Sequence, residues 1–412
     1  MHRRSLMAFA ALLCLFLSSA TAPVFAREAD NPQIVADCGN TGDDLPCTNE
    51  KIEIVGNKVL RNGKHFIVKG VIFEGFIDTL PMLEKCIAQQ PEKAAYCDRH
   101  LDSRNYYFGR GNYADGKDAL TLAVRAWNAN TERYNIAQDA LNPSSARSTA
   151  SYFEEIKSLV REARKRGLVV VLALFNHRIR NAPEMMQGTN YPLNTAETLN
   201  GALLFAREFG RDEGVMIELL NEPWSPTNRR VGWRLWRDGG VVDNPRSRHH
   251  GLHIIGGQQI VNEIRATGAR NAIIVQGLRA SFVGMPSLIT DPLNKIIYSV
   301  HPLFRSAESQ SEAEWERRFG AFALEHPVVL TAWNARGGDK WCEVSGIGAA
   351  DRFIAYVKKL DIGLIGYAFD IRGTMTKDFQ KYLDEPATLE TGCRVGNHAG
   401  GLIRDLFRSA NP

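Results

Sequence analysis

Eight short apolar runs separated by helical patterns constrain this chain more than any other feature of its sequence. The runs cover residues 66–73, 130–137, 168–175, 215–220, 272–277, 296–301, 328–332 and 362–369. Most are continuous apolar blocks rather than alternating ones, which marks strands buried on both faces of a parallel sheet. Helical periodicity fills the gaps at 152–166, 196–210, 255–267, 312–325 and 349–360, and a last amphipathic stretch covers 402–408. Basic residues followed by Gly close several of these helices, as in Lys165-Arg166-Gly167, an ordinary C-terminal cap. Eight β/α units in about 350 residues predict an α/β fold, a single (β/α)8 barrel with enlarged loops after strands one, seven and eight. A doubly wound open sheet is the competing arrangement. It usually carries a Gly-rich phosphate loop after an early strand, and none is present.

Before the barrel, residues 51–65 read as a β-hairpin, with apolar residues alternating around an Asn62-Gly63 turn. Residues 1–26 have the form of an export signal. Arg3 and Arg4 precede an apolar run at 7–17, and Val24-Phe25-Ala26 offers small residues for cleavage. The organisation predicted is therefore a signal peptide at 1–26, an irregular arm at 27–50 and a catalytic-type barrel at 51–412, in a protein secreted or periplasmic after processing. The apolar run is too short to span a bilayer stably. Lys+Arg total 50 against Asp+Glu 46, and the signal removes two arginines. That near balance argues against a nucleic-acid binder or a membrane-surface protein.

Seven cysteines become six once Cys14 leaves with the signal, and an even number in an exported chain points to cystines. Proximity along the chain favours Cys38 with Cys47 and Cys86 with Cys97, leaving Cys342 to pair with Cys393. No Cys-x-x-Cys and no histidine at ligand spacing supports zinc or another metal.

A barrel places its chemistry at the C-terminal ends of its strands. Strand four ends in Ile217-Glu-Leu-Leu-Asn-Glu-Pro223, followed by Trp224. Asn130-Thr-Glu-Arg133 lies at strand two, Tyr298-Ser-Val-His301 at strand six and Pro327-Val-Val-Leu-Thr-Ala-Trp333 at strand seven. With the hairpin before strand one, these segments resemble glycoside hydrolase family 5, the cellulase-like retaining glycosidases of clan A, through most of the mature chain. The resemblance implies a secreted enzyme without cofactor that cleaves a β-linked glucan, xyloglucan or mannan by double displacement. It makes Glu222 the general acid/base, since a glycosidic oxygen leaves poorly unless a carboxylic acid protonates it. It makes Asn221 a donor to the sugar 2-hydroxyl, Arg133 the guanidinium beside the nucleophile, and His301 part of the same network. Aromatic residues at strand ends, Trp224, Trp333, Trp341, Tyr367 and Phe369, are candidates for stacking on sugars, and His177 stands in for a pocket histidine after strand three.

The resemblance breaks at one position. Where the family carries its nucleophilic Glu, at the end of strand seven, this chain has Ala332. Retention needs two carboxyl groups about 5 Å apart, and an alanine forms no glycosyl ester. Either the alanine is an introduced knockout of an active enzyme, or it belongs to a natural chain that binds carbohydrate without cleaving it. A third reading is a glycolipid-directed glycosidase. Glu74, Asp370, Asp339 and Glu343 are the other carboxylates near strand ends, and Glu74 or Asp370 could serve as the base of an inverting arrangement.

Overall fold

The computed structural model describes residues 50–75, 80–89, 126–145, 147–176, 191–302, 311–335, 345–370, 374–378, 382–386 and 400–409. Eight parallel strands close into a barrel. In chain order they are Lys69–Phe73, Thr131–Ala137, Val169–Phe175, Val215–Glu218, Ile273–Gln276, Ile296–Ser299, Val328–Trp333 and Gly363–Gly366. Each pairs with the next in sequence, and the eighth pairs with the first, Leu364 opposite Lys69 and Gly366 opposite Val71. Every apolar run read from the sequence supplies one strand, so the barrel is the expected one and the open sheet is not.

Two apolar layers follow from strand alternation. Ile72, Val171, Met216, Ile274, Ile297, Val329 and Ile365 meet inside the barrel. Their neighbours Val71, Leu172, Ile217, Val275, Leu330 and Leu364 face outward onto the helices. Full burial of each such side chain contributes about 1.5–3 kcal/mol. The helices are Ala150–Lys165, Ala196–Phe209, Arg229–Asp238, Gly257–Ala266, Ser345–Lys359 and Gly400–Ser409, with Leu80–Gln89 in the connection after strand one. Gly167, at φ +75°, ends the first of these as the Lys-Arg-Gly pattern predicts. Between strands six and seven the helix starts at Glu312–Trp315, widens into a π turn over Glu316–Gly320 and resumes at Ala321–Ala323.

The N-terminal hairpin is a three-stranded antiparallel sheet, Ile52–Val55, Lys58–Arg61 and Lys64–His65. Asn62 and Gly63 both take positive φ at its second turn, as a two-residue turn of this hand requires. Ile52, Val59 and Phe66 join the interior apolar cluster, and Ile52 N–H donates to Glu213 at 3.1 Å.

Two of the expected sugar-stacking rings belong to the packing instead. Phe369 is fully buried, edge-on to Phe73 at 5.6 Å and to Trp127 at 5.5 Å. Trp333 is fully buried and stacked on Phe353 at 4.8 Å. Neither presents a face to a ligand. Trp233 and Trp236 are likewise buried on the helix Arg229–Asp238, their indole N–H groups donating to Val283 O at 3.1 Å and Gln276 O at 2.9 Å. Cys86 is fully buried on the helix after strand one. The arm, the signal segment, His177, Trp341 and the cysteines Cys38, Cys47, Cys97, Cys342 and Cys393 lie outside the described residues. Among the described residues, no helix is long and apolar enough to cross a membrane.

Candidate active site

At the C-terminal mouth the barrel interior turns polar. Arg133 and Asn135 come from strand two, Glu218 from strand four, Gln276 from strand five, Ser299 and His301 from strand six, and Thr331 from strand seven. All seven are buried.

Arg133 organises this layer. Its Nε donates to Glu218 Oε2 at 2.6 Å, one terminal nitrogen donates to Asn135 Oδ1 at 2.6 Å, and the other donates to Asn221 Oδ1 at 2.7 Å. Glu218 also accepts from Thr331 Oγ1 at 2.8 Å and from the Gln276 amide. Burial by itself would raise the Glu218 carboxyl pKa. Arg133 outweighs it, followed by His301 and the Gln276 hydrogen bond, so the group is held below the ordinary carboxylate range.

Gln276 sets the orientation of the residues above it. Its Oε1 accepts from the backbone N–H of Glu222 at 2.9 Å. Its Nε2 therefore faces Glu218 and, at 3.0 Å, His301 Nε2. His301 Nε2 also lies 3.0 Å from Thr331 Oγ1, and its Nδ1 lies 3.1 Å from Glu222 Oε1. Glu222 Oε1 is thus held by His301. Glu222 has φ +51°, a left-handed conformation that costs a non-glycine residue free energy. Its side chain is 47% exposed, so the carboxyl projects into the open mouth while its backbone is pinned from below.

Ala332 lies at an irregularity in strand seven. Between Leu330 and Trp333 that strand has one residue more than its partner between Leu364 and Gly366. Such a bulge breaks the alternation of faces. Thr331 bonds into the polar layer, Ala332 joins the interior cluster with Tyr367 packed against it, and Trp333 turns outward to the helices.

A second acidic group lies across the mouth at strands one and eight. Asp370 is fully buried, and its Oδ2 accepts from the backbone N–H groups of Glu74 at 2.8 Å and Gly75 at 3.0 Å. Glu74 accepts from Asn135 Nδ2 at 3.3 Å. Burial, then Glu74, Asp370 and Glu222, push the Tyr367 hydroxyl well above its usual pKa, and this hydroxyl is hydrogen-bonded to Glu74. The tyrosine is therefore protonated at any ordinary pH. Among the described residues, no group of three or more His, Cys, Asp and Glu side chains is placed to hold a metal ion.

This polar ring lies at the end of the (β/α)8 barrel where such folds place their chemistry, and the family match decides what kind of site it belongs to. Residues 101–373 match the model of the cellulase family, glycosyl hydrolase family 5. The chain belongs to glycosyl hydrolase family 5. Among solved structures it is similar to a cellulase in complex with an inhibitor, at 14% identity, 89% of this chain and 100% of that chain covered, TM-score 0.55. It is similar to a β-glucanase from Saccharophagus degradans, at 16% identity, 90% and 95% covered, TM-score 0.53. An endocellulase from the archaeon Pyrococcus horikoshii gives 14% identity, 89% and 100% covered, TM-score 0.55. At these identities the likeness is one of fold. A search of curated proteins finds no match.

Of the residues singled out from the sequence, the structure brings Glu222, Asn221, Arg133, His301 and Tyr367 to one mouth, and Ala332 lies in the interior cluster that Tyr367 packs against. Trp224 follows Glu222 on the same loop and is partly exposed. Sequence reasoning missed Glu218, Gln276, Thr331 and Asn135. A charged or amide residue inside an otherwise apolar buried strand is the signal that marks each of Glu218, Gln276 and Asn135, because burial without a partner is costly.

Proposed function

We propose that this family 5 glycoside hydrolase scaffold binds a β-linked glycan of the glucan, xyloglucan or mannan type, with its double displacement interrupted at Ala332. What supports the reading is the sequence match that sets Ala332 at the family's nucleophile position, at a bulge that places it in the barrel's interior cluster. In a retaining reaction a carboxylate oxygen bonds the anomeric carbon as the glycosidic C–O bond breaks. The acid/base gives its proton to the departing oxygen and then takes one from water. Glu222, held by His301, is equipped for the proton transfers. Nothing at 332 can form the ester. Glu218 does not replace it, because its oxygens are occupied by Arg133, Thr331 and Gln276 beneath the mouth.

The test is release of reducing ends from a panel of glucan, xyloglucan and mannan. The chain as written and its Ala332→Glu variant are compared. Turnover by the variant alone supports the reading. Turnover by the chain as written, unchanged in Ala332→Glu, defeats it. Binding without turnover in both favours the second reading, a carbohydrate-binding protein on a hydrolase fold.

Export is part of the proposal. It rests on the basic start, apolar run and small-residue cleavage site within residues 1–26, and N-terminal sequencing of the mature protein tests it. So are the pairings Cys38 with Cys47, Cys86 with Cys97 and Cys342 with Cys393. The disulfide-bonded state of Cys86 supports the second of them, and peptide mapping without reduction tests all three.

A further inference from the structure

The mouth of the barrel is electrically lopsided. Glu74 and Asp370 occupy its strand-one and strand-eight side. On the strand-four and strand-five side, the segment from Asn228 to His253 holds six arginines against two aspartates. One of the six, Arg237, is paired with Asp238. Arg229, Arg246 and Arg248 are exposed, and among the described residues none of them pairs with a carboxylate. Arg279 is exposed at the end of strand five, and its backbone N–H donates to Pro223 O at 3.0 Å, tying it beside the Glu222 loop.

Tertiary structure brings one of these charges, Arg248, to Trp224. The short strands Gly240–Val241 and His253–Ile254 form a hairpin after the helix Arg229–Asp238. Its tip folds back onto Trp224. The His249 ring meets the indole edge-on at 5.3 Å, and the Arg248 guanidinium lies 5.9 Å from the indole centroid. Arg248 Nε donates to His249 Nε2 at 3.0 Å. Burial and then Arg248 hold the His249 pKa below its ordinary value, so the imidazole is neutral at neutral pH and the permanent positive charge on the ring belongs to Arg248.

We infer that the Trp224–Arg248 platform beside Glu222 receives an anionic sugar, so that the glycan recognised is an acidic one carrying uronate carboxylates. The inference rests on the β-glycan reading above and narrows it. A neutral sugar stacks on an aromatic face without help from charge. An exposed guanidinium on an indole raises the local concentration of anions, so Arg248 over Trp224 suits a negatively charged ligand. A guanidinium pairs with a carboxylate through two parallel N–H donors while the neighbouring ring packs on the sugar. Glu74 and Asp370 repel an anion on the far side. The acidic residue therefore sits toward strands four and five, where Glu222 would protonate the leaving oxygen.

The experiment measures binding by calorimetry to the full chain of a β-linked tetraglucuronate. Its comparison ligand is the neutral tetraglucoside made by reducing its carboxyl groups. At low salt the acidic ligand is expected to bind at least tenfold more tightly, with the advantage shrinking as salt is raised. Arg248→Ala should remove most of the advantage and leave the neutral ligand unaffected, while Trp224→Ala should weaken both. Equal binding of the two ligands leaves the glycan reading standing and overturns this inference. Preference for the acidic ligand that survives Arg248→Ala combined with Arg246→Ala overturns it too. Binding of a single-stranded DNA of matching charge as tight as that of the tetraglucuronate reduces the patch to a general anion attractor and also overturns it. If neither sugar binds, the glucan reading fails first and takes this inference with it.

Discussion

The proposed interruption of double displacement rests on Ala332, and it has a chemical consequence. Under that proposal a small anion beside a bound sugar acts from solution in place of the carboxylate that position 332 does not supply. With an aryl β-glycoside, whose leaving group needs little protonation, azide or formate is expected to produce turnover that is otherwise absent. The azide product should have the α configuration, read by NMR. A β-azide would show that another residue forms a covalent intermediate. Beneath the mouth, Glu218 has a different duty. It is the buried counter-charge of Arg133, with side-chain exposures of 0% and 1%. Glu218→Gln leaves that guanidinium uncompensated and should cost about 3–5 kcal/mol of stability in urea unfolding. A loss below about 1 kcal/mol would mean that Asn135 and Asn221 suffice to hold Arg133.

At the scale of elements, barrel closure depends on the approach of strand eight to the chain leading into strand one. A Cβ on Gly363 would lie 2.7 Å from Val68 Cβ and 2.9 Å from the Val68 backbone nitrogen. Backbone cannot move aside as a flexible side chain can. Gly363→Ala should therefore destabilise by about 1–3 kcal/mol, measured by denaturant midpoint. An unchanged midpoint would show that the seam between these strands is loose. The helix after strand four illustrates how an element outside the barrel serves the site. Asn228 caps it by accepting Val231 N–H at 3.0 Å, and Trp236 then clamps the carbonyl of Gln276, the residue whose side chain holds both Glu222 and His301. The Trp pair of this helix is thus a support for the site, while Trp224 outside it remains partly open to a ligand.

The whole molecule carries several carboxylates that matter to its acid stability. Glu213, Glu218 and Asp291 all have lowered pKa values. In each, burial opposes ionisation, and cationic partners outweigh it: Lys295 and Arg270 at Glu213, Arg133 at Glu218, Arg265 at Asp291. A carboxyl group whose pKa is lower folded than unfolded stabilises the folded state above the unfolded value. That contribution is lost as pH falls through the folded value. The thermal midpoint should stay nearly flat from neutrality to about pH 5 and drop progressively below about pH 4.5, where unfolded carboxylates begin to protonate. Calorimetry across that range checks this, and Glu213→Gln should shallow the drop. A midpoint that rises on acidification would contradict the pairing of these groups.

Eight strands, most helices, the Asn62-Gly63 turn and the Lys-Arg-Gly helix end were legible in the sequence, because each is dictated by residues close together along the chain. Glu222 stood out because Asn221-Glu222-Pro223 directly follows a buried strand, and Ala332 because its flanking residues resemble the family pattern. Other features depended on which way side chains face after packing. The bulge that puts Ala332 in the interior cluster and Trp333 among the helices exists only in register with strand eight. Phe369 looked like a sugar platform until Phe73 and Trp127 enclosed it. Glu218 drew no attention in an apolar strand until Arg133, 85 residues earlier, supplied its charge partner. Local sequence specifies backbone periodicity, since hydrogen bonding and side-chain period act over a few residues. The partners of a buried charge and the exposed face of a ring are chosen by contacts between distant segments, and those form only when the barrel closes.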